Sequence, residues 1–416
     1  GAAGTTIQSW GVSSCTFNAN EFTMGSLVSD LLINQTYQVD IPSGFMVDSN
    51  ETSYAGTAYT FTVEPAAQYL FSWGDGSTGR LGQNDTTQRS SPTQVPGTNW
   101  GYFNGASSSN SGIFYNVKTD GTLWAWGSNS QGGLGQNSRK HYSSPVQVGS
   151  DTTWNKVYHV YYGALATKTD GTLWGWGNNT QGWLGQNNTT YYSSPVQIPG
   201  TTWSIAFGGA SISGAVKTDG TMWMWGKNQY GQLGHNNTTA YSSPVQLPGT
   251  NWNTAAGGGP GTQVQVIATK TNGTMWSWGF NNNGQLGQNS TTYYSSPVQI
   301  PGTTWGSLVE ATRFVSFANR TDGTLWAWGW NGQGQLGLND GTRRSSPVQI
   351  PGTTWGTNQN SFGSGAYSSS AVKTDGTLWT WGNGSEGVLG HNQSTPVNLS
   401  SPTQIPGTNW KSTIAV

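Results

Sequence analysis

Residues 118–148 read KTDGTLWAWGSNSQGGLGQNSRKHYSSPVQV and place Trp124 and Trp126 in a segment otherwise rich in Gly, Ser, Asn and Thr. The W-x-W-G element at its centre occurs seven times in the 416-residue chain, counting the variant FSWG at residues 71–74, at intervals of 49 to 53 residues. A fixed period near 50 residues indicates a repeat architecture. We call the second aromatic residue of each copy an aligned tryptophan: Trp73, Trp126, Trp176, Trp225, Trp278, Trp328 and Trp381.

Two further markers recur in register with the first. A proline in an S-P-x-Q motif follows each aligned tryptophan by 19 residues, or by 21 in the last copy. A further tryptophan lies eight or nine residues after each proline, and we call these the post-proline tryptophans: Trp100, Trp154, Trp203, Trp252, Trp305, Trp355 and Trp410.

Each repeat reads as short strands rather than helices. Residues 115–127 form two apolar runs around T-D-G, a hairpin signal in which Gly supplies the positive φ of the turn. Alternation in TLWAWG places Leu123 on one face and Trp124 and Trp126 on the other. Residues 143–148 predict a further strand, with Pro145 at an edge or a strand start. Four strands per repeat predict an all-β fold, a seven-bladed β-propeller of four-stranded blades.

The two ends of the chain predict how the ring closes. The first copy lacks the strand that follows the post-proline tryptophan elsewhere, and residues 409–416 supply such a strand. We expect this C-terminal strand to complete the blade begun near residue 57, so that residues 57–416 form the propeller without exposed sheet edges. Residues 1–56 do not match the repeat, and we expect an attachment or oligomerisation segment there; alternatively, they pack along the propeller.

Composition excludes two classes of protein. Charged residues are 8% of the chain and the net charge is −1, so a basic face for nucleic acid is not expected. With 33% hydrophobic residues and a mean hydropathy of −0.50, no window approaches the ~20 apolar residues of a membrane span. The 23 Trp, 17 Tyr and 12 Phe residues nevertheless supply enough buriable area for a folded chain.

The recurring DGTLWAWGSNSQGGLGQN…SSPVQV resembles the repeat of the regulator of chromosome condensation family, over roughly residues 57–416. The resemblance implies a seven-bladed β-propeller, a fold that carries unrelated activities. The founding type is an exchange factor for a nuclear GTPase and grips nucleosomes with a basic tail, but residues 1–20 here contain no Lys or Arg. The plant ultraviolet photoreceptor of this fold carries Gly-Trp-Arg-His-Thr repeats, which this sequence lacks. The near-identical repeats and Asn/Thr/Tyr-rich connectors are similar in style to propellers of bacterial surface proteins and tailed-phage virions.

No catalytic constellation stands out in the sequence. The four histidines show no metal-ligand spacing, and Cys15 is the single cysteine, so neither a disulfide nor a cysteine metal cluster can form within the chain. The recurring Asp residues occupy turns. We therefore expect no enzyme activity, no cofactor and no metal; a carboxylate pair assembled across blades is the enzymatic alternative.

Residues that break the repeat are the candidate binding residues. The repeating tryptophans are interpreted as blade packing, whereas the off-pattern Trp183 and Trp330 could stack on sugar rings or fill a partner's pocket, or be ordinary exposed aromatics. Three longer connectors, residues 101–116, 253–267 and 356–370, should emerge on one face. A varied position before S-S-P suits glycan or protein contact, or covers the outer strand. The candidates from these connectors and this position are Asn104, Tyr115, Gln263, Asn360, Tyr191, Tyr293 and Arg343.

A cation also recurs two residues before the Asp or Asn of each T-D-G hairpin. These residues could form a ring for an anionic partner, but we favour local neutralisation by the hairpin Asp. They are Lys118, Lys168, Lys217, Lys270, Arg320 and Lys373.

Together these features predict a non-enzymatic structural or adhesive propeller. We expect it outside a cell or on a virion surface, binding a protein or glycan partner through its loop faces and anchored by its N-terminal segment. The alternative is an intracellular interaction or GTPase exchange-factor propeller.

Overall fold

The computed structural model describes residues 68–104, 112–259, 261–357, 361–365, 367–392 and 397–410, together with four strands nearer the N-terminus. Among the described elements all are strands except two short 3₁₀ turns, Ser77–Gly79 and Ser385–Gly387. The chain divides into two compact units, Gly1–Ala67 and Gln68–Val416.

The four described strands of the first unit form two small antiparallel sheets. Cys15–Asn18 pairs with Glu21–Met24, and Thr36–Ile41 pairs with Thr57–Thr62. Thr57–Thr62 was expected to open the propeller, but its backbone pairs within the first unit, so the second unit starts at Gln68 instead of residue 57. The attachment role of residues 1–56 stays a prediction.

The described residues of the second unit form six four-stranded antiparallel sheets, each with its strands in sequence order. This confirms the all-β propeller of four-stranded blades. Blade 1 consists of Trp100–Asn104, Ile113–Lys118, Leu123–Gly127 and Tyr142–Gln147; blade 2 of Trp154–Val160, Gly163–Lys168, Leu173–Gly177 and Tyr192–Ile198; blade 3 of Trp203–Gly208, Ile212–Lys217, Met222–Gly226 and Tyr241–Gln246. Blade 4 consists of Trp252–Gly258, Gln265–Lys270, Met275–Gly279 and Tyr294–Ile300; blade 5 of Trp305–Ala311, Val315–Arg320, Leu325–Gly329 and Arg344–Gln349; blade 6 of Phe362–Ser364, Ser368–Val372, Leu378–Gly382 and Leu399–Ile405.

The T-D-G-T-x-W sequence builds the hairpin between the second and third strands. In blade 1 an Asp120 carboxylate oxygen accepts hydrogen bonds from the N–H and hydroxyl of Thr122, at 2.9 and 2.6 Å. The Thr122 hydroxyl in turn accepts the indole N–H of Trp124 at 2.8 Å. Gly121 has φ +78°, and a Cβ there would lie 2.0 Å from the carbonyl oxygen of Thr152. The turn therefore requires Gly, and it positions the first tryptophan of each W-x-W element.

The aligned tryptophans join each repeat to the one before it. Each indole N–H donates to a main-chain carbonyl of the preceding repeat, at 2.7 to 3.0 Å. The pairs are Trp126 to Arg80, Trp176 to Gly133, Trp225 to Trp183, Trp278 to Gln232, Trp328 to Gln285, Trp381 to Gln335 and Trp73 to Val388. The last of these pairs connects the seventh repeat to the first.

A second series of hydrogen bonds follows the same path. A loop asparagine of each repeat donates its main-chain N–H to a serine carbonyl in the fourth strand of the next repeat, at 2.7 to 3.1 Å. The series begins with Asn84 to Ser143 and ends with Asn392 to Ser90, again from the last repeat to the first. The repeats are thus bonded in a closed cycle.

The first repeat contributes a two-stranded sheet, Phe71–Gly74 with Arg89–Gln94. Trp410 lies edge-on to Phe71, with ring centres 5.8 Å apart. The same contact joins a post-proline tryptophan to a W-x-W element in the complete blades, as between Trp100 and Trp124 at 6.1 Å. The predicted completion of this sheet falls mainly on residues 411–416, which lie outside the described residues.

The two ends of the propeller differ in character. First strands of neighbouring blades contact one another, so they are innermost. The T-D-G hairpins and the connections to the next blade lie at one end, which we call the turn end. The connections between first and second strands, and the 14-residue segments between third and fourth strands such as 178–191, lie at the other, the loop end.

Only two of the three longer connectors lie where they were expected. The extra residues of the first two fall between the first and second strands, at the loop end. In blade 6 they fall between Trp355, which bridges to Lys373, and Phe362, which pairs with Ala371. The third insertion thus interrupts an inner strand, because strand pairing resumes only after it; the expectation of a common face was wrong for this connector.

We predict that Trp278→Phe destabilises the propeller, because the ring remains while the carbonyl of Gln232 loses its donor. Trp278 is fully buried, and leaving a buried carbonyl unpaired costs ~1–3 kcal/mol. Chemical unfolding of the full chain measures this loss. The matched control is Trp276→Phe, since the half-buried Trp276 donates only to Thr274 within its own hairpin. An equal loss in both variants would contradict the role of the inter-repeat bond.

Candidate interaction surface

The long segments at the loop end are held by a buried asparagine. In blade 2 the Asn179 side-chain oxygen accepts the N–H of Leu184 at 2.9 Å, and its amide donates to the carbonyl of Asn188 at 3.0 Å. Blades 1, 3, 4 and 5 repeat both bonds from Asn129, Asn228, Asn281 and Asn331. The loop end is therefore a rigid scaffold for the side chains that vary between repeats.

Two predicted binding residues are buried and act in packing. Trp183 is 2% exposed, donates its indole N–H to the carbonyl of Asn178, and packs edge-on against Tyr161. Tyr115 is fully buried, and its hydroxyl donates to the carbonyl of Gly133 at 2.5 Å. Neither ring is presented to a ligand, so the binding role predicted for these two residues was wrong. A place in a variable segment did not indicate exposure: the Trp183 ring packs within blade 2, and the Tyr115 ring packs against Trp176 of that blade.

Tyr293 and Arg343 lie together at the loop end, as parts of neighbouring blades. Tyr293 is 37% exposed, and its hydroxyl donates to the side-chain oxygen of Asn282 at 2.5 Å. The exposed Arg343 donates to the main-chain carbonyl of the same Asn282 at 3.3 Å. Phe280 and Tyr230 pack against the Tyr293 ring at 5.0 and 5.6 Å. An exposed ring and a guanidinium are thus held side by side on an apolar support.

Trp330 is half-buried in a second aromatic group. Its ring lies edge-on to Tyr367 at 5.7 Å and to Phe314 at 6.3 Å. The Arg313 guanidinium lies over Phe314 and Tyr367, at 5.3 and 5.5 Å from the ring centres. We did not predict Arg313 or Tyr367, which lie in the connections between first and second strands. The signal that could have found them is the variation of those short connections, where blade 2 has Tyr161 and Tyr162.

The remaining candidates are dispersed. Tyr191 is half-buried and accepts a hydrogen bond from the Asn178 amide at 3.2 Å. Gln263 is half-buried in the loop between the first two strands of blade 4. Asn104 ends the first strand of blade 1, paired with Tyr115, and Asn360 lies outside the described residues. Binding by these residues stays a prediction.

The recurring cations at the turn end are held by tryptophan rings. Each lies 4.0 to 4.9 Å from the centres of two rings, one from a post-proline tryptophan and one from the W-x-W element. Among the described side chains the one ion pair in this series joins Lys168 to Asp151, not to its hairpin Asp170. The expected local neutralisation therefore occurs without a described direct ion pair, because the hairpin carboxylate is bonded within its own turn while the nearby cation still lowers its pKa.

Glu310 is the one acidic residue on the described inner strands. It lies on the first strand of blade 5, opposite Phe317, and burial raises the pKa of its carboxyl from the ordinary value of 4.5 to about 8. A single carboxyl does not form the acid pair of the enzymatic alternative. Among the described residues no group of three or more His, Cys, Asp or Glu could hold a metal ion. Within the same residues, no helix is long and apolar enough to cross a membrane.

The closed cycle of repeats and the variable, rigidly held loop end define a β-propeller of the protein-interaction class. The chain belongs to the family of the regulator of chromosome condensation (RCC1) repeat, whose model matches seven segments: residues 69–102, 120–167, 170–216, 219–262, 272–315, 322–355 and 375–416. The search of curated protein sequences found no significant match.

Solved structures share the fold at low sequence identity. The chain is similar to yeast RCC1 (Prp20) in a crystal structure with Kap60, with a TM-score of 0.69, 18% identity, and coverage of 82% of this chain and 85% of the other. A structure of Prp20p from Saccharomyces cerevisiae, described with its binding to Gsp1p and histones, has a TM-score of 0.69 and 18% identity. The match covers 82% of this chain and 86% of the other. The crystal structure of human WBSCR16 has a TM-score of 0.68 and 18% identity, with coverage of 82% of this chain and 94% of the other.

We predict that Glu310→Gln stabilises the propeller at high pH only. The raised pKa means that burial penalises the charged form of the carboxyl. The resulting loss of folding stability is absent below pH 4.5 and grows as the pH rises to about 8. At pH 9 the variant should melt ~1–3 °C above the wild type, and at pH 4 the two should melt together. The control is Asp322→Asn, which should lower the melting temperature at pH 9, since hydrogen bonds from Thr324 lower the pKa of Asp322 and its charged form therefore stabilises the fold. Equal melting temperatures of Glu310→Gln and the wild type at pH 9 would contradict the raised pKa of the Glu310 carboxyl.

We also predict that Lys217→Met destabilises the chain by ~0.5–1 kcal/mol through loss of its contacts with the Trp203 and Trp223 rings. Chemical unfolding measures this loss of stability. When Lys217→Met is introduced into an Asp219→Asn chain, the loss should be the same. If the loss vanished in that background, the ammonium would be paired with Asp219. Lys227→Met at the loop end, where no ring contact is described, should change stability by less than ~0.5 kcal/mol.

Proposed function

We propose that this chain is a non-catalytic interaction propeller that binds a protein partner through its loop end. The observation that carries the proposal is the exposed or half-exposed Tyr293, Arg343, Trp330 and Arg313 on rigid loops of neighbouring blades. Tyr, Trp and Arg are the residues most enriched at the energetic centres of protein interfaces. Lack of catalytic activity is part of the proposal, and activity assays on the purified full chain test it.

We further propose that the two-stranded sheet is the seventh blade, completed by the strand after Trp410. Its support is the inter-repeat bond of Trp73 and the contact of Trp410 with Phe71, each the counterpart of contacts in the complete blades. Deletion of residues 411–416 should then lower the unfolding midpoint, because the last inner strand is lost. An unchanged midpoint would contradict this closure.

We propose a position outside a cell or on a virion surface, with residues 1–56 as the anchor. Low charge and polar, uncharged connectors support it. Protease shaving of intact cells and imaging of purified particles should find the protein exposed. Its confinement to the interior would refute this location.

The alternative is an intracellular exchange factor for a small GTPase. The similarity to Prp20p, described with its binding to Gsp1p, favours it, although 18% identity supports only the shared fold. Release of labelled GDP from a small GTPase, accelerated by this chain, would establish the alternative.

The interaction proposal is tested by affinity purification of the full chain from its native source. A defined partner should co-purify with the wild type and be lost from the variant Tyr293→Ala/Trp330→Ala. The matched control is Tyr69→Ala, since Tyr69 is 56% exposed but lies just before the strand Phe71–Gly74, at the turn end. Loss in the control as well, or retention in both, would contradict binding at the loop end.

A further inference from the structure

We infer that the loop end of blades 4 to 6 docks a protein surface rich in carboxylates. This inference rests on the proposed interaction function and adds to it the location and chemistry of the partner. We call the residues that carry it the arginine–aromatic surface: Tyr293, Arg313, Trp330, Arg343 and Tyr367.

Charge is distributed unequally between the two ends of the propeller. Among the described residues, the hairpins and blade connections of the turn end carry six Lys or Arg and six Asp, a net charge of zero. The loop end carries eight cations and four acids, a net charge of +4. The cations are Arg80, Arg89, Arg139, Lys140, Lys227, Arg313, Arg343 and Arg344; the acids are Asp75, Asp85, Asp340 and Glu386. A nearly neutral chain thus concentrates positive charge at one end, where it can steer an acidic partner.

Ion pairs within the loops confine the excess positive charge to a few unpaired cations. Asp75, Asp85 and Asp340 are bonded to arginines of their own loops, with closest N–O distances of 3.0, 2.8 and 2.6 Å. No ion pair within 4.0 Å joins the other five cations to a carboxylate whose side chain is described. Arg313 and Arg343 both belong to blade 5, so two guanidinium groups available to a partner lie in one blade.

The arginine–aromatic surface holds these guanidinium groups beside the exposed Tyr293 ring and the half-buried rings of Trp330 and Tyr367. The Arg313 guanidinium is stacked on Phe314 and Tyr367, and its Nε is buried without a hydrogen-bond partner among the described residues. Arg343 makes one bond, of 3.3 Å, to a main-chain carbonyl. Because a guanidinium has five donors in a planar fork, both side chains keep donors for an incoming group. A carboxylate matches that fork with two parallel hydrogen bonds.

Among anionic partners, a protein fits this surface best. A nucleic acid would require a continuous basic stripe, whereas the excess cations here are separated by blades of neutral side chains. Stacked arginines with Tyr and Trp, supported from below by buried Phe280, form the composition of a protein hot spot. The partner should therefore present Asp or Glu beside apolar side chains.

The test is selection of a random 12-residue peptide library on the immobilised full chain. Selected peptides should be enriched in Asp and Glu, and their affinity should fall about tenfold or more in Arg313→Gln/Arg343→Gln. The matched control is Arg139→Gln/Lys140→Gln, which removes the same charge from the loop end of blade 1 and should leave affinity within about twofold. Circular dichroism verifies folding, and Arg343→Gln alone, at an exposed position, should give a smaller loss of the same sign.

Several outcomes would overturn the inference. Equal losses in both double variants would mean that net charge alone attracts the peptides. Selection of neutral peptides that bind every variant equally would refute the acidic partner while leaving the interaction function intact. Binding to an acidic glycan array but to no peptide would assign the surface to another class of ligand. If no peptide, glycan or co-purified partner binds the wild type, both this inference and the proposed function fail.

Discussion

The hydrogen bond from a buried indole to a main-chain carbonyl of the neighbouring repeat is the interaction on which the rest of this propeller depends. The aligned tryptophan fills the space between two blades and also donates a hydrogen bond to a main-chain carbonyl of the preceding repeat. Phenylalanine could do the first and a small polar residue the second, but tryptophan does both. This double role explains why tryptophan occupies all seven aligned positions.

The strands and their grouping could be predicted from the sequence, because they depend on local signals repeated at a fixed spacing. The T-D-G turn and the alternation in TLWAWG are complete within about ten residues. What could not be predicted depends on contacts between distant residues. Lys168 was expected only to be neutralised locally by Asp170, yet its ammonium also lies between Trp154 and Trp174, because antiparallel pairing brings two strands together at that point. Trp183 looked exposed in a polar segment, but its ring is buried against Tyr161 and bonded to the Asn178 carbonyl.

The candidate surface was predictable only in part for the same reason. Tyr293, Trp330 and Arg343 could be found because they vary at a fixed place in the repeat. Arg313 and Tyr367 lie in short connections whose proximity to Trp330 arises only when blades 5 and 6 are side by side. The propeller thus separates two requirements: the turn end repeats one arrangement of cations and rings, while the loop end varies on a constant frame of buried asparagines.

The acceptor of each indole hydrogen bond is a main-chain atom, and the residues that supply it are as different as Arg80, Gly133, Trp183 and Val388. Since every residue has such a carbonyl, a repeat can accept almost any neighbour without a matching change in its own side chains. Unequal crossing-over between near-identical gene segments would then exchange or reorder whole blades at little cost to folding. New combinations of loops could be generated by recombination alone, without waiting for compensating point mutations in the core.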